Sequence, residues 1–325
     1  MKRLGFLGVG WIGRNRMEAM LATGQAHAVA ICEPNPQMLE EARKIAPTAL
    51  VAESLDALLA LDLDGIVIAT PSALHAEQSI RALEAGVAVF CQKPLARNAS
   101  EVAAVLAAAE RADQLLGVDL SYRHTAAMQA VQREVRSGAL GKIFAADLLF
   151  HNAYGPGAGW FWDPALSGGG CLIDLGVHLV DLALWLLDFP EVKDARASLL
   201  REGRPAQPGE VEDYASAALT LADGTDVRLA CSWNLSAGRD AVIEARFYGT
   251  EGGAAMRNVS GSFFDFTAEK FDGRETETIA LPPDAWGGRA AADWVRRLAA
   301  GERFSGSTSG LAETARVLDR LYGRA

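Results

Sequence analysis

Gly8-Val9-Gly10-Trp11-Ile12-Gly13 stands between an apolar run at residues 3–8 and an amphipathic stretch at 11–22. A strand that ends in glycine can turn sharply, because glycine tolerates backbone angles that other residues avoid. A glycine two residues on lets backbone approach a bound anion, and a third allows the following helix to pack close to the strand. The start of that helix offers N–H groups and a positive dipole end to phosphate. Glu33 lies twenty residues beyond Gly13, at the end of a second apolar run at 27–33, where a carboxylate accepts hydrogen bonds from ribose hydroxyls. Gly8, Gly10, Trp11, Ile12, Gly13 and Glu33 are therefore the expected cradle of a dinucleotide. A carboxylate at Glu33 repels a 2′-phosphate and Pro34 adds no positive charge, so NAD is expected as the cofactor, with NADP disfavoured.

The rest of the first 120 residues agrees with such a cradle. Apolar runs at 65–69, 87–91 and 115–118 alternate with helical patterns at 35–46, 72–85 and 98–112. Strands alternating with helices of this length specify a parallel, doubly wound α/β sheet, the Rossmann arrangement. Asn98 is the expected N-cap of the last of these helices, with Glu101 in its first turn. After residue 120 the rhythm changes. A helix at 124–137, a strand at 142–152, an aromatic and glycine-rich loop from Ala153 to Trp162 and a long helix at about 169–187 follow in turn. Strands are then expected at 192–200, 213–221, 225–235, 240–248, 262–268 and 276–281, and helices at 287–300 and 309–322. Consecutive strands with the hairpin signal Asp223-Gly224 point to an α/β domain built on a largely antiparallel sheet. Two domains are expected, residues 1–120 and 121–325, with the last helices free to pack back on the first.

Composition narrows the function. The chain has 325 residues, half of them hydrophobic, and a formal net charge of -10, so a nucleic-acid backbone would repel it on average. The four cysteines are scattered without Cys-x-x-Cys spacing, which suits buried reduced thiols and a cytoplasmic protein. No run of about 20 apolar residues is apparent, so no membrane is expected, and no internal repeat is visible.

Candidate chemistry gathers at two places. Thr70-Pro71 ends the strand at 65–69 and His75 follows in the next helix, where strand ends meet ligands; a packing role serves His75 equally well. Cys91-Gln92-Lys93-Pro94 closes another strand. In the second half, Gly168-Gly169-Gly170 precedes Asp174, Gly176, His178 and Asp181. Asp174 and His178 are four residues apart, so a regular helix would place them on one face, which a core histidine paired with a carboxylate would do too.

Together with Tyr248-Gly249-Thr250-Glu251-Gly252, these residues resemble the Gfo/Idh/MocA family, the glucose–fructose oxidoreductases, inositol dehydrogenases and their relatives, from end to end. The resemblance implies an NAD(P)-binding domain, a second α/β domain with an open sheet, and a substrate cleft between them. It implies that Lys93, Asp174 and His178 are catalytic: Lys93 contacts the reacting hydroxyl and cofactor, while His178 is the acid/base with Asp174 close by. A neutral imidazole suits removal of an alcohol proton as hydride leaves carbon. The family usually has Glu before this lysine, where the chain has Gln92. Arg123, Tyr154, Trp160 and Asp174 are the candidate substrate contacts; an aromatic face at Tyr154, Trp160, Phe161 and Trp162 can stack on a sugar ring, although an oligomer contact or a small satellite core would use the same residues. The resulting expectation is an NAD-dependent oxidoreductase acting on a secondary alcohol of a sugar, cyclitol or sugar acid, assembled as a homodimer or homotetramer. A glycoside-cleaving relative that retains NAD and a non-catalytic NAD-binding regulator are the alternatives.

Overall fold

The computed structural model describes residues 1–305 and 308–324. It divides into two compact units, Met1–Ser121 with Gly287–Ser309, and Tyr122–Trp286 with Gly310–Ala325.

The first unit runs β1 (Lys2–Leu7), α1 (Trp11–Leu21), β2 (Ala26–Cys32), α2 (Pro36–Ile45), β3 (Leu50–Val51), α3 (Leu55–Leu59), β4 (Gly65–Ile68), α4 (Ser72–Glu84), β5 (Ala88–Cys91), α5 (Ala99–Ala112) and β6 (Leu116–Val118). Its six strands pair in the order β3-β2-β1-β4-β5-β6, all parallel. This is the doubly wound order that reverses between β1 and β4. β4 and β5 are buried at every position, as strands covered on both faces must be. Capping follows the local chemistry: the Asn35 side chain accepts the N–H groups of Gln37 and Met38 ahead of Pro36, and Asn98 accepts that of Glu101, each satisfying donors the helix cannot. The helix Arg289–Ala299 belongs to this unit. Its Trp294 ring sits where Gly65 and Gly117 lack side chains; a Cβ would lie 2.6 Å from that ring at Gly65 and 2.5 Å at Gly117.

The second unit contains α6 (Ala126–Arg136), β7 (Ile143–Asn152), α7 (Pro164–Ser167), a π-helical turn at Leu172–Gly176, α8 (Val177–Leu186), β8 (Val192–Arg201), β9 (Arg204–Pro205), β10 (Tyr214–Leu221), β11 (Asp226–Ser232), β12 (Ala241–Gly249), β13 (Gly253–Asn258), β14 (Phe266–Asp272), β15 (Glu275–Ala280) and a C-terminal helix, Ser309–Leu321. A nine-stranded sheet runs β15-β14-β13-β12-β7-β11-β10-β8-β9. Only β7 and β11 pair in parallel; the other neighbours are antiparallel. β10 alternates half-buried and buried residues, the period of a sheet with one packed face. Two expectations need correction. The strand foreseen at 262–268 begins at Phe266, and β13 fills a gap where none was foreseen. The helical run Pro164–Leu186 is also long and apolar enough to cross a membrane, contrary to the reading of the sequence, yet 89% of its most apolar window is buried inside the protein. By packing it is a buried core segment, interrupted at Gly168 and Gly169. Cys171 and Cys231, sixty residues apart, bring their sulfurs to 4.0 Å; all four cysteines are buried free thiols.

Candidate functional site

In the first unit the reversal point of the sheet is shaped by Gly8, whose φ of +85° and approach to Ala69 exclude a side chain: a Cβ would lie 2.6 Å from the Ala69 carbonyl oxygen. Gly10 is different. A Cβ there would meet nothing within 4 Å, so no packing within the protein demands glycine, and the open space suits backbone approach to a pyrophosphate. Trp11 is 64% exposed beside this turn, and Ile12 is half-buried. Glu33, at the end of β2, accepts the N–H of Val9 (2.8 Å) and of Asn35 (3.0 Å). Its carboxylate therefore holds the glycine turn. These residues fit a dinucleotide.

Thr70 and Pro71 follow β4 at the same end of the sheet. The Thr70 hydroxyl donates to Gln78 Oε1 (2.6 Å), so it is already engaged. His75 is 1% exposed. One ring nitrogen lies 2.7 Å from the Pro94 carbonyl oxygen and the other 2.8 Å from that of Thr70. The packing role open to His75 is the one these bonds describe: the ring is a buried brace between two strand-end loops, one of which carries Lys93. Lys93, half-buried, stands two residues beyond β5.

In the second unit Asp174 lies in the π-helical turn and His178 in the first turn of α8. The change of helical period between them means that their spacing is not that of a regular α-helix, and a π-turn is a common mark of a functional segment. His178 is 5% exposed, with its ring edge-on to Tyr122 (4.8 Å between centroids) and 6.2 Å from Phe150. Asp174 accepts the indole N–H of Trp233 (3.1 Å). Trp233 is 3% exposed, a core residue, but also the residue that orients this carboxylate. The aromatic loop reaches the same place. Trp160 stacks on Phe161 (3.8 Å), and Phe161 and Trp162 stand edge-on to Trp233 at 6.2 and 5.1 Å. Tyr154 lies apart, 54% exposed beside Phe263.

Arg123 has another occupation than the expected substrate contact. Its guanidinium forks onto the carboxylate of Asp181, with Nε at 2.7 Å, and lies 5.5 Å from the rings of Trp185 and Phe189. Burial pushes the Asp181 carboxyl up against the pull of Arg123, and a carboxylate 1% exposed requires such a partner. Glu212 was not foreseen at all. It is 2% exposed and accepts the N–H groups of Gly170 (3.0 Å) and Leu172 (2.9 Å) and the hydroxyl of Tyr322 (2.7 Å), while Tyr322 accepts the N–H of Ile173 (3.1 Å). It caps the segment that carries Asp174 and His178. Nothing local marks it, because its partners lie 40, 42 and 110 residues away in sequence.

Residues 2–120 match the oxidoreductase family with an NAD-binding Rossmann fold, and residues 128–255 match the GFO/IDH/MocA C-terminal domain. The chain belongs to the GFO/IDH/MocA oxidoreductase family. It is 31% identical over 283 residues to a D-apiose dehydrogenase of Paraburkholderia graminis, covering 86% of this chain and 73% of that protein. Among solved structures, levoglucosan dehydrogenase in complex with NADH superposes with a TM-score of 0.83 at 24% identity, covering 100% of this chain and 96% of that one. A 3-ketoreductase from Actinomadura kijaniata in complex with NADP and TDP-benzene gives 0.86 at 21%, covering 100% and 98%. At such identities the structural likeness speaks to the fold.

The His75 brace has a consequence for stability. Burial holds its pKa below the ordinary histidine value. Below about pH 6.5 the unfolded chain takes up a proton that the folded ring resists, so this group's contribution to stability falls as pH falls, by at most ~1.4 kcal/mol per pH unit. His75→Gln should therefore show a shallower loss of unfolding free energy than the parent between about pH 7 and pH 5, measured by urea titration. Parallel slopes would mean that the folded ring carries the proton.

Proposed function

We propose that this family member is an NAD-dependent dehydrogenase that oxidises a secondary alcohol of a sugar, a cyclitol or a sugar acid. The observation that carries the reading is one buried helical segment bearing Asp174 and His178, in a chain whose first unit holds the glycine turn and Glu33. The D-apiose and levoglucosan dehydrogenases among its relatives and structural neighbours support a polyhydroxy substrate.

Bound NAD supplies a hydride acceptor. The chain's own residues do the rest. Lys93 donates a hydrogen bond to the alcohol oxygen as negative charge grows on it. His178, neutral, accepts the hydroxyl proton. Asp174, oriented by Trp233, adds a negative charge that favours the imidazolium so formed. Tyr122 and Phe150 keep water from the ring. Trp160 and Phe161 offer a stacked aromatic face for the apolar side of a sugar ring. The reading is tested by following NAD reduction over a panel of polyols, sugars and sugar acids. For the substrate found, kcat/KM should rise with pH as the base becomes neutral, and His178→Ala should lose this acid limb together with roughly 10²–10⁴-fold in rate. An acid limb that survives in His178→Ala but vanishes in Lys93→Met would make the lysine the base.

The cofactor choice is assigned to Glu33. Structural neighbours carry both NADH and NADP, and the carboxylate at the end of β2 favours the former by repelling a 2′-phosphate. Fluorescence titration should give tighter binding of NADH than of NADPH, with the gap narrowed in Glu33→Ala. Equal affinities in the parent protein would remove the assignment.

A homo-oligomer is supported by the face of the nine-stranded sheet that bears Asp147, Arg196, Arg228, Glu244, Arg246 and Tyr248 around a concavity of about 750 Å³. Charges of both signs line it, with Arg228 2.9 Å from Asp147 and Arg246 2.5 Å from Glu244. A second copy turned through a two-fold axis meets such a pattern with its complement. Light scattering should report a dimer or tetramer of the 34.5 kDa chain; a monomer at micromolar concentration would exclude it.

A further inference from the structure

Behind Lys93 lies a buried cluster that the proposed chemistry does not use. Gln92, 6% exposed, precedes the lysine; Asp119, 2% exposed, follows β6; Arg16, 5% exposed, projects from α1. One oxygen of Asp119 accepts both the Arg16 Nε–H (2.6 Å) and the Gln92 side-chain N–H (2.9 Å). Its other oxygen is buried with no hydrogen-bond partner. Backbone bonds hold the frame, from Gln92 N–H to the Ile68 carbonyl (2.9 Å) and from Asp119 N–H to the Cys91 carbonyl (3.0 Å).

As a stabilising device this is poor. A buried ion pair barely offsets the desolvation of its charges, and an unpartnered carboxylate oxygen adds a further cost. As a positioning device it is apt. One carboxylate ties the helix that opens at the glycine turn to the residue adjoining Lys93. The charges of Arg16 and Asp119 cancel, so the third member has to be a neutral donor. A glutamate at position 92 would set a second carboxylate against the first, and two like charges at that separation resist ionising together.

We propose that Arg16, Asp119 and Gln92 form a charge-balanced positioning network that fixes Lys93 relative to α1, and that an amide stands at position 92 because Asp119 already supplies the carboxylate. The inference rests on the role given to Lys93 above, so its test carries a readout independent of turnover. Lys93 acylation by an amine-reactive reagent is followed by mass spectrometry, with the exposed Lys44 as internal reference, alongside kcat and NADH affinity.

Gln92→Glu should change the Lys93 labelling rate at least threefold relative to Lys44 and lower kcat roughly tenfold, the scale of a misplaced catalytic group, with NADH affinity held within about twofold. The transposed variant, Gln92→Glu with Asp119→Asn, again has one carboxylate and one amide beside Arg16 and should recover both labelling and kcat. That rescue separates positioning from stability, and it remains decisive if Asp119→Asn alone fails to fold. Unchanged Lys93 labelling in a folded Gln92→Glu protein, or a transposed variant no closer to the parent than the single, would overturn the network. If the parent protein oxidises no polyhydroxy alcohol while labelling follows the expected pattern, the positioning stands and the dehydrogenase reading falls.

Discussion

Backbone N–H groups at the start of a helix have no partner within the helix and must find one elsewhere. In both units of this protein a carboxylate from a distant strand or loop bonds the backbone at or just before such a helix start. Glu33 takes the N–H of Val9 in the turn before α1, and Glu212 takes those of Gly170 and Leu172 before the turn that carries Asp174. Each acid therefore sets the direction from which a functional helix leaves its loop. The two differ in environment. Glu33 is half-buried and remains available to a ligand, whereas Glu212 is sealed in, where burial pushes its carboxyl up and Tyr322 and backbone donors offset the cost of the charge. One braces its turn from a half-buried position, the other from full burial.

The same division of labour recurs among the histidines and arginines. His178 and His75 are both buried, yet only His178 is ringed by aromatic faces with a carboxylate four residues earlier in the chain. His75 is consumed by two carbonyl groups. Arg16 and Arg123 both pair with buried aspartates, which leaves neither guanidinium as an obvious anchor for a substrate anion.

Much of this was legible in the chain. The glycine turn, Glu33 and the strand–helix alternation rest on local rules of turn, cap and period, and local rules survive folding. Asn98 caps where it should. What escaped depends on partners far away in sequence. β13 begins Gly253-Ala254-Ala255, residues with little strand preference, and exists because β12 and β14 pair with it on either side. The π-turn at Leu172–Gly176 arises in an apolar run that reads as unbroken helix. Arg123 looks like a substrate anchor until Asp181, 58 residues on, is seen to occupy it.

Trp294 brings a different matter into view, the order in which the chain is made. Its ring fills the slots left by Gly65 and Gly117, so the first sheet is completed by a helix synthesised only after the whole nine-stranded sheet has emerged. Domains generally fold as they leave the ribosome, N-terminal first. Here the nucleotide-binding half must wait, with one apolar face uncovered, for residues that follow the whole second sheet. Translation pausing or chaperone capture would act most strongly in that interval, and a break in the chain before Gly287 would orphan the first unit rather than release it.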